Sequence, residues 1–244
     1  MASSSLRGAI AHRWDLSVPE AMALQEKLAR KVVRIDRLGA VRHVCGIDVD
    51  FVENGPIARA AAAVLSFPDL ELCDYALACK AADFPYIPGL LSFRESPAVI
   101  AALEELAIEP DLLVCDGQGI AHPRRFGLAS HLGLLAGIPS IGVAKKRLIG
   151  KHGTLPECRG AWVPLVDRGE RIGAVLRTRV GVKPVYVSIG HRVSLETAIR
   201  YVMACTTRYR LPETTRWAHR LAGASVREMA TLHRSLGSRI RKER

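Results

Sequence analysis

The amino-acid sequence predicts an α/β fold in which helices flank a mixed β-sheet. The first observation is a run of three consecutive strand-like segments separated by turn-forming residues. The second is the pattern that follows, where helical periodicity alternates with short strands. The third is that several of these later strands are wholly apolar, which is typical of strands buried on both faces. Together the three observations favour a layered α/β domain over an all-helical or all-β one.

The first half of the predicted sheet is an antiparallel meander preceded by a helix. Residues 17–33 have helical periodicity, and Ser17 with Glu20 forms a capping-box pattern at the start of that helix. Strand-like segments follow at residues 42–53, 57–67 and 71–82. Because turn-forming residues separate them, we expect adjacent segments to pair as hairpins.

The second half of the chain alternates helices and strands. A helix is predicted at about residues 97–107, with Ser96 as its N-cap and Pro97 in its first turn. The other predicted elements are helices at 124–136, 195–207 and 213–222 and strands at 112–115, 141–143, 162–166, 172–176 and 185–188. This order of elements is that of the ribonuclease-H-like fold. We find no internal repeat or linker, and predict a single domain over residues 1–244 with its core at about 17–235.

The composition favours a polyanionic partner. The chain has 35 Lys and Arg against 24 Asp and Glu, a formal net charge of +11. Neutralising phosphates releases counterions, so this charge suits nucleic acid, although many basic proteins are merely soluble. No apolar run reaches the roughly 18–20 residues that span a bilayer, and the six cysteines include no C-x-x-C pair. We expect a soluble, cytoplasmic protein without a membrane segment, a zinc site or a disulfide framework.

Acidic residues stand at strand positions where a carboxylate needs a partner. Asp48 and Asp50 share one side of the strand at 42–53, and Asp116 ends the apolar strand at 112–115. If these strands are neighbours, Asp48 and Asp116 converge, and Glu95 approaches from the start of the following helix. Three such oxygen ligands suit Mg²⁺, with Mn²⁺ as a substitute. The structural alternatives are a turn role for Asp116 and a surface role for Glu95 beside Arg94; we expect Asp50 to bond locally or face solvent.

The segment FPYIPG at 84–89 is an unusual loop. Two prolines stiffen it, and Tyr86 and Ile87 stand where neither a helix nor a central strand is favoured. Rigid apolar side chains on a loop suit a wedge that enters a base stack. The alternative is a loop anchored in the core by Tyr86. His122, in a Gly/Pro-rich loop, either contacts phosphate or makes a loop-stabilising hydrogen bond.

Several motifs resemble the endonuclease V family across nearly the whole chain. They are GIDVDF (46–51), FPYIPGLLSFRES (84–96), DGQGIAHPRRFGLASH (116–131), GVAKK (142–146), SIGHRVSLETA (188–198) and RLPETTRWAH (210–219). The resemblance implies a ribonuclease-H-like fold and a role in DNA repair. It also implies hydrolysis of the second phosphodiester bond 3′ to a deoxyinosine, which leaves a nick.

The resemblance also assigns roles to individual residues. Asp48, Glu95 and Asp116 match the family's catalytic, metal-binding carboxylates, and His219 falls where the family has Asp or His. A histidine on a helix surface is the alternative for His219. Lys145, in GVAKK, is expected to neutralise the scissile phosphate or to orient water. Asp50 departs from the family, which usually has a small residue there.

The resemblance implies a site that reads the lesion base. The wedge comprises Tyr86, Ile87, Pro88 and Gly89, and we expect Gly117, His122 and Lys145 also to contact the substrate. The base would be turned out of the duplex, and Gly89, Gly117 and Gly119 would permit close backbone approach. We expect a monomer that acts on deoxyinosine in DNA. The alternatives are an endoribonuclease for inosine in RNA, a non-catalytic nucleic-acid-binding module and a small-molecule phosphohydrolase.

Overall fold

A computed structural model describes residue 10, residues 12–52 and residues 55–224. The described residues form five helices and one eight-stranded sheet in the order β3-β2-β1-β4-β5-β8-β7-β6. The strands are β1 His43–Phe51, β2 Ile57–Ser66, β3 Leu72–Ala81, β4 Leu112–Cys115, β5 Ser140–Ala144, β6 Trp162–Asp167, β7 Glu170–Leu176 and β8 Val185–His191. The helices are α1 Val18–Ala29, α2 Leu91–Glu104, α3 Leu128–Ala136, α4 Leu195–Ala204 and α5 Glu213–Ala222. The predicted core boundary near residue 235 lies outside the described residues.

The sheet is mixed, as the sequence predicts. Strands β1, β2 and β3 form the antiparallel meander, and β1 runs parallel to β4, which runs parallel to β5. Strand β8 then pairs antiparallel with β5 and continues through β7 to β6. The expectation that β1 and β4 are neighbours is therefore confirmed, and the carboxyl ends of β1, β4 and β5 meet at one edge of the sheet.

The two faces of the sheet carry different helices. Cys45 and Leu113 face a buried cluster that includes residues of α2 and α3. Their neighbours Val44 and Leu112 face a second cluster, which includes residues of α4 and α5. This alternation follows the two-residue period of a strand. On the second face α5 lies very close to β1, because a Cβ at Gly46 would come 1.9 Å from the Thr214 carbonyl oxygen.

Helix boundaries differ from the sequence prediction in two places that matter for the site. The capping box of Ser17 and Glu20 at the start of α1 is present, as predicted. The predicted start of α2 is wrong: the helix begins at Leu91, so Ser96 is not its N-cap and Pro97 lies inside it. Burial of the first turns of α2, including Phe93, outweighs the hydrogen bond that the proline lacks.

The predicted start of α3 at residue 124 is also wrong, because α3 begins at Leu128. Arg125 has a φ of 55° and the N-cap position is Gly127, so residues 124–127 form a loop.

In the described part of the chain, no helix has the length and apolar character needed to cross a membrane. All six cysteines are free thiols.

Candidate active site

Three acidic side chains from three elements lie at one edge of the sheet. Asp48 is one residue beyond Ile47, which pairs with Cys115 of β4. Asp116 follows β4 directly, and its backbone N–H donates to the Ile47 carbonyl oxygen at 3.0 Å. Glu95 is buried on α2. It lies inside the helix and not before its N-cap, so the position predicted for it is corrected although its proximity to the strand ends is as predicted.

Burial and neighbouring carboxylates dominate the electrostatic environment of Glu95 and Asp48. Burial raises the pKa of Glu95 to about 8, and the neighbouring Asp48 and Asp116 add to that rise. The pKa of Asp48 is also raised, first by burial and then by Asp116. A carboxylate loses the stabilisation of water when it is buried, and like charges oppose its ionisation further. Ionisation of Glu95 and of Asp48 is therefore disfavoured at this site.

Two basic side chains already contact the aspartates. The Lys145 ammonium lies 2.5 Å from Oδ2 of Asp116, and Nδ1 of His219 lies 2.7 Å from Oδ2 of Asp48. The aspartate side chains are only 14% and 13% exposed for Asp48 and Asp116, whereas that of His219 is 71% exposed. His219 thus reaches the acids from α5, on the solvent side of the site. Both residues that the family resemblance singles out lie within hydrogen-bonding distance of a predicted carboxylate.

The acids do not form a complete metal-binding cluster among the described residues, where no three His, Cys, Asp or Glu side chains are so arranged. Asp48 lies on the α5 side of its strand, whereas Glu95 approaches from α2, on the opposite face. Asp48 and Asp116 both raise the pKa of Glu95, and Asp116 raises that of Asp48. Asp50 is exposed and its Oδ1 accepts a hydrogen bond from the Phe51 N–H, the local role expected for it.

The loop at 84–89 projects from the protein beside this site. Tyr86 is 71% exposed, so the core-anchor alternative for this residue is wrong. The apolar contact with the interior is made by Ile87, which packs against a cluster that includes Phe84, Leu90 and Phe93. The loop therefore presents an aromatic ring to solvent while its neighbour holds it to the core.

A cavity of about 360 Å³ separates this loop from the strand ends. Its lining includes Tyr86, Ile87, Pro88 and Gly89 from the loop, Gly117 and His122 from the segment after β4, and residues 146–148 after β5. Most of the predicted substrate-binding residues therefore share one cavity. Gly119 has a different role from the one predicted, because a Cβ there would come 1.9 Å from the Ile189 carbonyl oxygen in β8. Its lack of a side chain serves packing against the sheet.

Comparison with known proteins identifies the family. The family model described as Endonuclease V matches residues 26–220. The chain belongs to the endonuclease V family. It is 59% identical over 212 residues to Endonuclease V of Trichormus variabilis, an alignment that covers 86% of this chain and 96% of the relative. As a member of this family the protein is a nuclease, a hydrolase of phosphodiester bonds.

Solved structures of endonuclease V share the fold. That of Streptomyces avermitilis has 43% identity and a TM-score of 0.84, covering 91% of this chain and 98% of that one. That of Ciona intestinalis, solved in complex with a 24mer DNA containing an inosine followed by a ribo-adenosine, has 29% identity and a TM-score of 0.74. It covers 88% of this chain and 98% of its own. The ribonuclease-H-like fold predicted from the order of elements is confirmed.

In this endonuclease V chain, three side chains hold the carbonyl oxygen of Gly89, at the end of the projecting loop. Nε2 of Gln25 donates at 3.0 Å, Nη2 of Arg124 donates at 2.8 Å, and Nε2 of His122 lies 3.0 Å away. Gln25 also accepts from Nε of Arg124 at 2.5 Å. His122 therefore makes the loop-stabilising hydrogen bond that was one of its two predicted roles. Burial, with the charge of Arg124, lowers its pKa to about 4, so it is neutral at physiological pH.

The other end of the loop is held separately. Nη1 of Arg94 donates to the Phe84 carbonyl oxygen at 2.9 Å, and its guanidinium lies 4.6 Å from the Phe51 ring centroid. Sequence reasoning missed Gln25, Arg94 and Arg124 as parts of this arrangement. A glutamine on the apolar side of α1 was the one signal available, because a buried amide needs hydrogen-bond partners.

Proposed function

We propose that this protein is a metal-dependent DNA repair endonuclease that hydrolyses the second phosphodiester bond 3′ to a deoxyinosine. The observation that carries the proposal is the juxtaposition of three acids at a sheet edge with a cavity bordered by an exposed aromatic loop. Family membership supports the nuclease activity, and the inosine-containing DNA bound by the Ciona intestinalis enzyme supports the lesion. The net charge of +11 suits a nucleic-acid substrate.

The donor set fits a magnesium ion. Asp48, Asp116 and Glu95 offer carboxylate oxygens, which are hard ligands that Mg²⁺ prefers and Mn²⁺ accepts. Burial and the neighbouring acids raise the pKa values of Glu95 and Asp48 by more than the nearby basic side chains lower them. When bound, the ion supplies charge relief on the phosphate and lowers the pKa of water. Calorimetric measurement of Mn²⁺ binding to the protein alone tests the site without any cleavage assay.

The protein's own basic residues have distinct tasks in this proposal. Lys145 places a positive charge beside Asp116, where the scissile phosphate must approach the acids, and stabilises the charge that develops on it. His219 is the exposed partner of Asp48 and is free to exchange a proton with solvent or with the leaving oxygen. Glu95, buried beside Asp48 and Asp116, would orient the attacking water or help to hold the metal.

The base would occupy the cavity. Removing a base from the stack costs a few kcal/mol, and an aromatic side chain that fills the gap offsets part of that cost. Tyr86 is placed for this role, since it is exposed at the rim of a cavity large enough for a purine. Gly89 and Gly117 also line the cavity, and their lack of side chains lets a base approach the backbone closely.

The deciding experiment is cleavage of an end-labelled duplex that contains one inosine, with the nick mapped to the nucleotide. We expect a single nick at the second bond 3′ to the inosine, dependent on Mg²⁺ or Mn²⁺. Matched DNA and RNA strands are assayed in parallel, because preferential cleavage of RNA would replace this proposal with an inosine-specific endoribonuclease. Binding of inosine DNA without cleavage under any metal condition would indicate a non-catalytic module.

Asp116→Asn and Asp48→Asn should abolish the nick while leaving the fold intact, because each removes one ligand charge. Asp50→Asn is the matched control, since Asp50 lies in the same strand as Asp48 but is exposed and bonded locally. The measurements are the single-turnover rate and the melting temperature. A nicking rate near that of the wild type in either Asp48→Asn or Asp116→Asn contradicts the assignment.

A further inference from the structure

An exposed aromatic ring stands between α4 and α5, outside the cavity described above. Tyr209 is 42% exposed, and the Arg216 guanidinium lies 3.4 Å from its ring centroid. Glu213 holds Arg216 with two contacts, at 3.0 and 2.8 Å. The Arg208 guanidinium lies 5.7 Å from the same ring. Arg208, Tyr209 and Arg216 are hereafter called the Tyr209 platform: the Arg216 guanidinium packs against the ring, the Arg208 guanidinium lies farther from it, and the ring remains partly exposed.

The backbone of this platform is held in place by three side chains from other parts of the chain. Nη2 of Arg159 donates to the Thr206 carbonyl oxygen at 2.8 Å, and Nη1 of Arg179 donates to that of Arg208 at 3.1 Å. Oγ1 of Thr178 donates to the carbonyl oxygen of Arg210 at 2.7 Å. A surface tyrosine on a segment fixed in this way loses little conformational entropy when it binds a planar partner.

The platform lies beside the acidic site. Nη2 of Arg210 donates to the Lys145 carbonyl oxygen at 2.7 Å, so the segment that carries Tyr209 touches the backbone of a candidate catalytic residue. Arg216 is three residues before His219 on α5, and residues at that spacing are neighbours on a helix surface. The platform is therefore one helical turn from the histidine that contacts Asp48.

The acids adjoin the cavity as well as the platform. Among the described residues, those lining the cavity include Leu91, on α2 one turn before Glu95, and Gly117, directly after Asp116. Neither Tyr209 nor His219 is one of them. A strand with a base in the cavity and a phosphate at the acids is therefore close to the platform, which adjoins the acids through the contact of Arg210 with Lys145 and through His219.

We propose that the Tyr209 platform binds the substrate DNA strand on the 3′ side of the scissile bond. Tyr209 stacks on a base or sugar of that strand, and Arg208 contacts a phosphate. The inference rests on the proposed function, since the bond 3′ to the lesion defines the direction of the strand. Aromatic rings interleaved with cations suit single strands and frayed ends, because every base has a stacking face. Glu213 does not oppose this contact, because its carboxylate is engaged by Arg216 and by the hydroxyl of Thr207.

The test compares two inosine duplexes that share their 5′ side and differ only in the length of the 3′ flank. One flank is long, and the other ends directly after the scissile bond. Affinity is measured by fluorescence anisotropy without divalent cations, so that the strand remains intact. We expect Tyr209→Ala to weaken binding of the long-flank duplex by about 5- to 150-fold, the range for one lost base–aromatic contact. Binding of the short-flank duplex should scarcely change.

Matched variants separate the roles of the ring and the charge. Tyr209→Phe should bind like the wild type, because it keeps the stacking face. Arg208→Ala should reduce the slope of log affinity against log salt by about one on the long flank only. The control is Arg200→Ala, which removes an exposed cation 5.8 Å from a tyrosine ring on α4. That ring lies 5.3 Å from the ring of Phe67 in a tilted arrangement, and the Phe67 N–H donates to the Arg42 carbonyl oxygen before the start of β1, at the opposite end of the strand from Asp48.

Equal losses on both flanks, or no loss in Tyr209→Ala, would overturn the proposal. Because Tyr209 is exposed, a markedly lower melting temperature in Tyr209→Ala would also count against it. Failure of the proposed function looks different: the wild-type protein would then fail to distinguish the inosine duplex from an inosine-free one. In that event, binding of the inosine-free duplex tests whether the platform contacts DNA. A loss of affinity in Tyr209→Ala but not in Arg200→Ala would support the contact, and equal affinities of the two variants would exclude it.

Discussion

At the scale of single residues, Lys145 and its neighbour Lys146 differ in what their side chains meet. The Lys145 ammonium contacts Asp116 inside the candidate site. For Lys146 the described contact is made by its backbone, whose carbonyl oxygen accepts a hydrogen bond from Gln118 at 3.1 Å. Two adjacent lysines of the same motif thus have different surroundings, because Lys145 contacts an acid whereas Lys146 lines the cavity.

Lys145→Ala should lower the cleavage rate far more than the affinity for inosine DNA. A fixed charge that meets the developing charge on the phosphate acts on the chemical step, and the loss of one such group costs about 10²- to 10³-fold in rate. Single-turnover rates and dissociation constants measured on the same duplex separate the two effects. If Lys146→Ala reduced the rate and Lys145→Ala did not, the assignment within the motif would be wrong by one position.

At the scale of elements, the projecting loop is a short segment fixed at both ends. Arg94 holds Phe84 at one end, and Gln25, Arg124 and His122 hold Gly89 at the other. Gly89 has a φ of 82°, a conformation that suits glycine and lets the chain turn back into α2. The stiffness that the two prolines suggest is therefore supplied as well by side chains from three other parts of the chain.

Tyr86→Ala should weaken binding of duplexes in which the inosine is paired by about 5- to 150-fold, the range for one base–aromatic contact. Single-stranded inosine requires no strand separation, so the loss there should be smaller. Because Tyr86 is exposed, the melting temperature should stay unchanged. Affinities for paired and unpaired inosine, measured together with thermal unfolding, test this; a uniform loss on all substrates would argue against the wedge.

Gln25→Leu should weaken the attachment of the same loop, residues 84–89, to the rest of the protein. The substitution removes the donor to Gly89 and leaves the Phe126 carbonyl oxygen and the Arg124 guanidinium without their buried partner. Such losses cost about 1–3 kcal/mol of stability. Through the loop they should also reduce the preference for inosine DNA.

A double-mutant cycle between Gln25→Leu and Tyr86→Ala distinguishes positioning from simple destabilisation. If Gln25 acts by holding the loop, the second substitution should add little to the loss of inosine affinity caused by the first. Strictly additive effects on affinity, accompanied by a lower melting temperature, would show that Gln25 is structural only.

At the scale of the whole molecule, buried histidines couple the fold to pH. His191, the last residue of β8, accepts a hydrogen bond from the Val33 N–H at 3.2 Å through Nδ1. Burial, together with the charge of Arg192, lowers its pKa from 6.5 to about 4. The unfolded chain therefore binds a proton at pH values where the folded protein does not. The stability from this group is complete above about pH 6.5 and is lost as the pH falls toward 4.

His191→Gln should make stability less dependent on pH in that window. One proton corresponds to a slope of about 1.4 kcal/mol per pH unit, so the free energy of unfolding of the variant should fall less steeply between pH 6.5 and 4. Urea unfolding at several pH values measures the slope. An unchanged slope would mean that His122 and His131, whose pKa values are also lowered by burial, account for the acid sensitivity.

Local patterns in the sequence were sufficient to predict the strands and to select two of the acids, Asp48 and Asp116. The two-residue alternation of a strand places Asp48 opposite Ile47, and an apolar run that stops at Asp116 marks a strand end. Both signals lie within a few neighbouring residues, so they can be recognised without knowledge of the fold. The motifs resembling endonuclease V then singled out Lys145 and His219, which no periodicity would have selected.

What tertiary structure alone decided are the contacts between residues distant in the chain. Helix α2 begins before Glu95 and continues through Pro97 because packing of its first turns outweighs a lost hydrogen bond. The Gly89 carbonyl oxygen is held by side chains of residues 25, 122 and 124, and the segment that carries Tyr209 adjoins the site through the contact of Arg210 with Lys145. Local propensity cannot specify such contacts, because their free energy depends on which surfaces the folded sheet brings together and dehydrates.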